Sequence, residues 1–152
     1  MANNDVIVAG VDGSEGGRRA LRWAVDEAVR TGAMVRAVTA WKWDGVDSPL
    51  LGAASPSEAR ARAEAISSRE VAAAIADIAA PPVIARDVVR GDPVAVLVSA
   101  GRRARMLVLG GHGETRLYHA VLGAVSAGCV RTACTAVVMV PAAEPATTDR
   151  TA

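Results

Sequence analysis

The sequence predicts a single α/β domain built on an open, doubly wound parallel sheet of five strands in the order 3-2-1-4-5. Short runs rich in Val, Ile and Leu alternate with segments of helical periodicity, the pattern of parallel strands joined by helices. The apolar share of 51% includes no Phe and one Tyr, so small and branched side chains must build the core, which suits strands covered on both faces. The length of 152 residues suits one domain. We expect residues 1–141 to form it and 142–152 to be a disordered tail.

The first half of the chain is predicted to contain two strands and two helices. Val6–Val11 is a continuous apolar run typical of a buried strand, and Met34–Trp41 is the second strand. Between them, Ser14 is placed to cap a helix that ends at Gly32. The apolar face of this helix is expected to comprise Ala20, Leu21, Ala24, Val25 and Ala28.

A long loop and a second helix follow. Lys42 to Pro56 is rich in Gly, Ser, Asp and Pro, which predicts an exposed loop of functional length. Ser57 is expected to open an alanine-rich helix that Pro81 and Pro82 end, because proline cannot continue a helix. Its apolar stripe is expected to comprise Val71, Ala74, Ile75 and Ile78.

The second half is predicted to contain three more strands. Gly91, Asp92 and Pro93 combine a turn glycine, an N-cap acceptor and a proline suited to the first helical position. The remaining elements are expected as strand three at Val83–Val89, a helix to about Ala104, strand four at Met106–Gly110, a loop at Gly111–Leu122, a helix at about Ala124–Ala133, and strand five at Ala136–Pro141.

A ligand site is expected where the winding direction of such a sheet reverses, between strands one and four. Gly110 and Gly113 bracket the turn after strand four, and Gly123 comes ten residues later at a helix start. Glycines permit close approach of backbone N–H groups to phosphate, and a helix N-terminus adds free donors. The Ser126 hydroxyl can donate a further hydrogen bond. The alternative is that these glycines only form a tight turn.

Charge and known motifs exclude several classes of protein. The formal net charge is +1 and the arginines are scattered, so nucleic acid and membrane surfaces are not expected partners. The only lysine is Lys42, which excludes a Walker loop, and the G-x-G-x-x-G dinucleotide pattern is absent after strand one. No signal peptide or membrane-spanning run is visible, so we expect a cytoplasmic protein. Cys129 and Cys134 are interpreted as buried thiols.

Five segments together resemble one protein family. They are Val8–Ser14, Val89–Pro93, Leu107–Gly113, Leu122–Ser126 and Val137–Pro141, in order and with matching spacing. With these motifs the chain resembles universal stress proteins from strand one to strand five. The resemblance implies the fold described above and a stress-response function.

In the ATP-binding branch of that family, the motif is Gly, two residues, Gly, nine residues, Gly, and then Ser or Thr. Gly110, Gly113 and Gly123 match it, but Ala124 lacks the hydroxyl. The N–H of Ala124 remains, and Ser126, after Val125, occupies the next hydroxyl position. Losing one hydrogen bond to a charged group is worth roughly 1.5–3 kcal/mol, so ATP affinity is expected to fall about ten- to a hundredfold.

The resemblance also implies an adenosine end of the site. Val11 and Asp12 are expected beside the adenosine, with Ala40 and Leu109 as apolar walls for the adenine. Each residue has a structural alternative. Asp12 can simply bond the backbone of the first helix, as in an Asx turn, and Ala40 and Leu109 can belong to the core.

The sequence predicts a binding module more than an enzyme. His112 and Asp12 are the candidate bases of the crevice, but nothing in the sequence orients the His112 ring, so no catalytic residue is assigned. We expect a homodimer, formed through Ala136 to Pro141, that binds ATP with Mg²⁺ or Mn²⁺, ahead of AMP or cyclic AMP, with slow or absent hydrolysis. The alternatives are a nucleotide-free interaction module of the same fold and a weak nucleotide hydrolase.

Overall fold

The computed structural model describes residues 5–43, 45, 55–111 and 123–142, which form one parallel sheet flanked by helices. The elements are β1 (Val6–Gly10), α1 (Glu15–Thr31), β2 (Met34–Trp41), α2 (Pro56–Ile75), β3 (Ile84–Arg90), α3 (Pro93–Gly101), β4 (Met106–Gly110), α4 (Ala124–Thr132) and β5 (Ala136–Val140). The strand order is β3-β2-β1-β4-β5, and every strand pair is parallel. The predicted fold class is confirmed.

Each face of the sheet carries its own hydrophobic cluster because successive residues of a strand point to opposite sides. Ile7 and Ala9 of β1 belong to the cluster under α1 and α2. Val8 lies on the other face, with Leu97 of α3 and Cys129 of α4. Both faces of β1 are therefore covered, and the carboxyl end of this central strand is left as the place for a site.

The apolar face of α1 is the one that the sequence predicts. It is buried along its whole length, with Leu21 and Val25 at 1% and 0% exposure. Burying a side chain of this size contributes roughly 1.5–3 kcal/mol. The buried residues of α1 are Gly16, Gly17, Ala20, Leu21, Ala24, Val25 and Ala28.

Local hydrogen bonds place the helix ends that the sequence predicts. The Ser14 hydroxyl accepts from the N–H of Gly17 at 3.0 Å, and the Asp92 carboxylate accepts from the N–H of Ala95 at 3.1 Å. Gly32 ends α1 with a left-handed φ of 77°, a conformation that glycine adopts without strain. Each side-chain cap contributes about 1 kcal/mol to its helix.

Three predicted helix boundaries need correction. Ser55, not Ser57, caps α2, because Pro56 fills the first helical position, where its missing N–H has no consequence. The same helix ends at Ile75, well before Pro81, and the Ile78 N–H donates to the Ile75 carbonyl as the chain turns toward β3. Similarly, α3 ends at Gly101 and not near Ala104, and a turn leads from there into β4.

Several predictions fall on residues that the structure does not describe. Most of the predicted loop between Lys42 and Pro56, most of the loop between Gly111 and Leu122, and the predicted tail after residue 142 lie outside the described residues. Among the helices that are described, none is long and apolar enough to cross a membrane.

Candidate functional site

A cavity of about 470 Å³ opens at the carboxyl ends of β1 and β4. This is the point where the sheet reverses its winding direction, since β1 continues to β2 on one side and β4 continues to β5 on the other. Most of the residues that the sequence singles out line this cavity. They are Val11, Asp12, Ala40, Leu109, Gly110, Gly123, Ala124, Val125 and Ser126. Gly113 lies outside the described residues, as does His112.

The turn between β1 and α1 is held by its own side chains. One Asp12 carboxylate oxygen accepts from the Ser14 N–H at 3.0 Å and from the Ser14 hydroxyl at 2.5 Å. The same hydroxyl oxygen accepts from the N–H of Gly17 and so starts α1. Asp12 therefore makes the kind of local backbone hydrogen bond that the sequence leaves open as its structural alternative. Asp12 also lines the cavity.

The start of α1 packs directly against the end of β4. A Cβ on Gly110 would overlap the backbone carbonyl of Gly16, and a Cβ on Gly16 would lie 2.6 Å from the Gly111 carbonyl oxygen. Only glycine permits backbones to approach this closely. Gly16 and Gly17 also line the cavity, and sequence reasoning missed them. The signal in the sequence is this pair of adjacent glycines at the start of a helix. It was considered only as a part of the dinucleotide pattern, which it does not match.

The N-terminus of α4 differs from those of the other three helices in the described part of the chain. Ser14, Ser55 and Asp92 cap α1, α2 and α3 with a side-chain acceptor. The N-cap of α4 is Gly123, and within the described residues no side-chain cap hydrogen bond is made to this helix. Gly123 and the first turn of α4 line the cavity. The N–H groups of this turn and the positive end of the helix dipole are thus available to an anion there.

Ser126 has a partner that the sequence does not reveal. Its hydroxyl, in a residue only 7% exposed, donates to the Gly110 carbonyl at 3.3 Å. A serine hydroxyl carries a single proton. In this arrangement the hydroxyl ties α4 to the end of β4, and it would have to rotate before it could donate to a phosphate.

Part of the cavity wall is apolar. This apolar part consists of Val38 and Ala40 of β2, Leu97 of α3 and Leu109 of β4. Val38, Leu97 and Leu109 also belong to the second hydrophobic cluster. A flat aromatic ring can therefore contact this wall without burying a polar group of the protein.

The charged side chains that line the cavity are both acidic. They are Asp12 and Glu15, and no basic side chain of the described residues joins them. The described part of the chain holds no cluster of three or more His, Cys, Asp or Glu side chains that could bind a metal ion by itself. Attraction for phosphate from these lining residues would come from backbone N–H groups, chiefly at the N-terminus of α4, and from the Ser126 hydroxyl if it rotates.

Comparisons with known proteins agree with this architecture. The model of the family described as the universal stress protein family matches residues 3–141. A universal stress protein crystallised in complex with cAMP is 26% identical, with a TM-score of 0.68 over 92% of this chain and 98% of that one. A search of curated proteins found no significant match.

Two further solved structures share the fold at lower identity. UspA from Lactobacillus plantarum is 20% identical, with a TM-score of 0.67 over 92% of this chain and 99% of that one. A universal stress protein from Archaeoglobus fulgidus in complex with dAMP is 21% identical, with a TM-score of 0.50 over 91% and 98% of the two chains. At this identity the similarity supports the fold alone.

Proposed function

Since the chain belongs to the universal stress protein family, we propose that it binds an adenine nucleotide in the cavity between β1 and β4 and acts as a regulatory module in the stress response. ATP is the proposed ligand, ahead of AMP and cyclic AMP, and its hydrolysis is slow or absent. The observation that carries the proposal is the uncapped N-terminus of α4 at a cavity that also has an apolar wall. The 26% identical relative crystallised with cAMP adds support.

The phosphates are assigned to the side of the cavity formed by Gly110, Gly123 and the first turn of α4. Free N–H groups and a helix dipole favour anions there. The acidic Asp12 and Glu15 oppose a highly charged ligand, so Mg²⁺ or Mn²⁺ is proposed to accompany ATP and to be held through its phosphate oxygens. Gly113 is assigned to the same side on the sequence motif alone.

The adenosine is assigned to the apolar side. Ala40 and Leu109 would contact the adenine, while Val11 and Asp12 would lie beside the adenosine. Burial of the ring against these walls supplies affinity that does not depend on phosphate. Adenosine itself should therefore bind, though more weakly than the nucleotide.

A second candidate function follows from Ala124. This residue lies at the first position of α4, where the ATP-binding motif has Ser or Thr, and the nearby Ser126 hydroxyl is already bonded to Gly110. Both features reduce the number of hydroxyl donors offered to phosphate. An interaction module of the same fold that binds no nucleotide is the function that these two residues favour.

Retained ligand and titration separate these two functions. The purified protein is denatured, and the supernatant is examined by mass spectrometry for ATP, AMP and cyclic AMP. The ligand-free protein is then titrated with ATP and Mg²⁺ by calorimetry. The proposed function expects a bound adenine nucleotide or a saturable heat. No nucleotide in the supernatant and no heat on titration would contradict it and favour the interaction module.

We also propose that two copies associate through β5. This strand lies at an edge of the described sheet and pairs only with β4 on its inner side. Its residues Val137–Val140 are half-buried in the single chain, and an unpaired strand edge is suited to pairing with a copy of itself. Sedimentation at micromolar concentration should show a dimer, and a monomer alone would contradict this part of the proposal.

A further inference from the structure

We propose that Arg19 is a positioning residue for the nucleotide phosphates, a role that rests on the proposed function. Arg19 lies on α1 and does not line the cavity. Its Nη2 donates to the Gly111 carbonyl oxygen at 3.2 Å, across 92 positions of sequence. The proposed role is to hold the turn at the end of β4 so that its carbonyl oxygens do not face the phosphates.

Both carbonyl oxygens of the Gly110–Gly111 turn have a donor from the protein. The Ser126 hydroxyl donates to the Gly110 carbonyl, and the Arg19 guanidinium donates to the Gly111 carbonyl. Carbonyl oxygens carry the negative end of the peptide dipole, so one directed into the cavity would repel an anion. With both oxygens engaged by donors from α4 and α1, neither carbonyl of this turn is left unpaired to face a phosphate.

The remaining contacts of Gly111 show that the turn is held from two sides. Its N–H donates to the Val140 carbonyl of β5 at 3.2 Å, and its carbonyl oxygen lies against Gly16 of α1. Arg19 provides the only side-chain hydrogen bond to Gly111 among the described residues. Its removal should therefore loosen the turn on the α1 side, while the Val140 bond to Gly111 and the Ser126 bond to Gly110 remain.

Arg22, one turn further along α1, is bonded quite differently from Arg19. Arg22 pairs with Asp26 at 3.1 Å and with Asp77 at 2.7 Å, so carboxylates satisfy its guanidinium. The Nε of Arg19 is buried without a hydrogen-bond partner in the described part of the chain. A buried donor left without a partner is unfavourable. A role in ligand binding would account for an arginine at this position in spite of its unpaired Nε.

The test compares Arg19→Met with the matched control Arg22→Met. Calorimetry measures the affinities for ATP with Mg²⁺ and for adenosine, and NMR measures amide hydrogen exchange of Gly111 in the ligand-free protein. In Arg19→Met we expect ATP affinity to fall about tenfold, adenosine affinity to stay within about twofold, and the Gly111 amide to exchange faster. The control should leave all three readouts as in the wild type. Equal losses for ATP and adenosine would overturn the proposal.

Arg19→Lys distinguishes positioning from the effect of positive charge, and it also serves if Arg19→Met fails to fold. Positioning expects ATP affinity and protection of the Gly111 amide to change together in every variant. ATP affinity restored by lysine without restored protection would overturn the proposal. Absence of binding by the wild type would refute the proposed function instead. In that case the exchange measurement still decides whether Arg19 holds the turn, and an unchanged Gly111 rate would refute that role.

Discussion

A carboxylate introduced at Gly123 tests whether the phosphates lie at the N-terminus of α4. Gly123 is the N-cap of α4, with φ of −58° and ψ of 161°, a backbone conformation open to any residue. Aspartate and asparagine are both favourable N-cap residues. Neither substitution should destabilise the fold, so Gly123→Asp and the isosteric Gly123→Asn can be compared directly.

The loss of a donor and the added charge are expected to differ by about two orders of magnitude in their effects on affinity. In either variant the new side chain accepts from an N–H of the first turn, which removes a donor from the ligand and weakens ATP binding roughly tenfold or more. The aspartate adds a negative charge. Two unit charges about 4 Å apart at an effective dielectric constant near 20 repel by about 4 kcal/mol, which is on the order of a thousandfold in affinity.

Calorimetry measures ATP affinity in the two variants, and thermal unfolding without ligand checks the fold. The midpoint of unfolding should equal or exceed that of the wild type in both, because each variant gains a helix cap. We expect the aspartate variant to bind ATP on the order of a thousandfold more weakly than the asparagine variant. Equal affinities of the two variants in folded protein would refute the assignment of phosphate to α4.

Three further experiments test the packing of β4 against α1, one ion pair of α1 and the burial of the two thiols. Gly110→Ala places a Cβ where the α1 backbone lies, so urea unfolding should show a loss of about 3 kcal/mol or more, and an unchanged midpoint would refute the contact. The hydrogen bond from Arg22 lowers the pKa of Asp77. The stabilisation is fully present above the ordinary carboxylate pKa and is lost as the pH falls from there through the lowered pKa of the folded protein. The difference in stability between the wild type and Asp77→Asn should therefore shrink over that interval, and a constant difference would contradict the pairing. Burial raises the pKa of the Cys129 thiol, whereas Cys134 is exposed. A thiol reagent should therefore modify only Cys134 until the protein unfolds. Rapid modification of both thiols would contradict the burial of Cys129 on α4.

The exposure of Cys134 also corrects an interpretation of the sequence, which assigned both thiols to the interior. Cysteine is often buried, but this residue follows the end of α4 in a turn that leads to β5. Composition describes what a residue type usually does. The position of an individual residue in the fold decides whether its side chain is buried.

The predicted helix ends show which signals a sequence carries well. Ser14 and Asp92 cap their helices as predicted because each bond joins a side chain to an N–H three residues away. The start of α2 was missed although the signal was equally local. Ser55 followed by Pro56 is a cap and a first-position proline, but Ser57 lies close enough to be taken for the cap.

By itself, the sequence determined the fold class and the succession of strands and helices, because the apolar periodicity and the local caps depend on neighbours within a few positions. The predicted strand order and crevice followed from the usual arrangement of doubly wound sheets with strand one at the centre, and the structure confirms the order. Only the tertiary structure decided what the side chains at that crevice bond. Ser126 reaches Gly110 across 16 positions and Arg19 reaches Gly111 across 92. Those contacts exist because parallel strand pairing brings the ends of β1 and β4 together and packs the start of α1 against β4 through Gly16. No local pattern encodes such proximity.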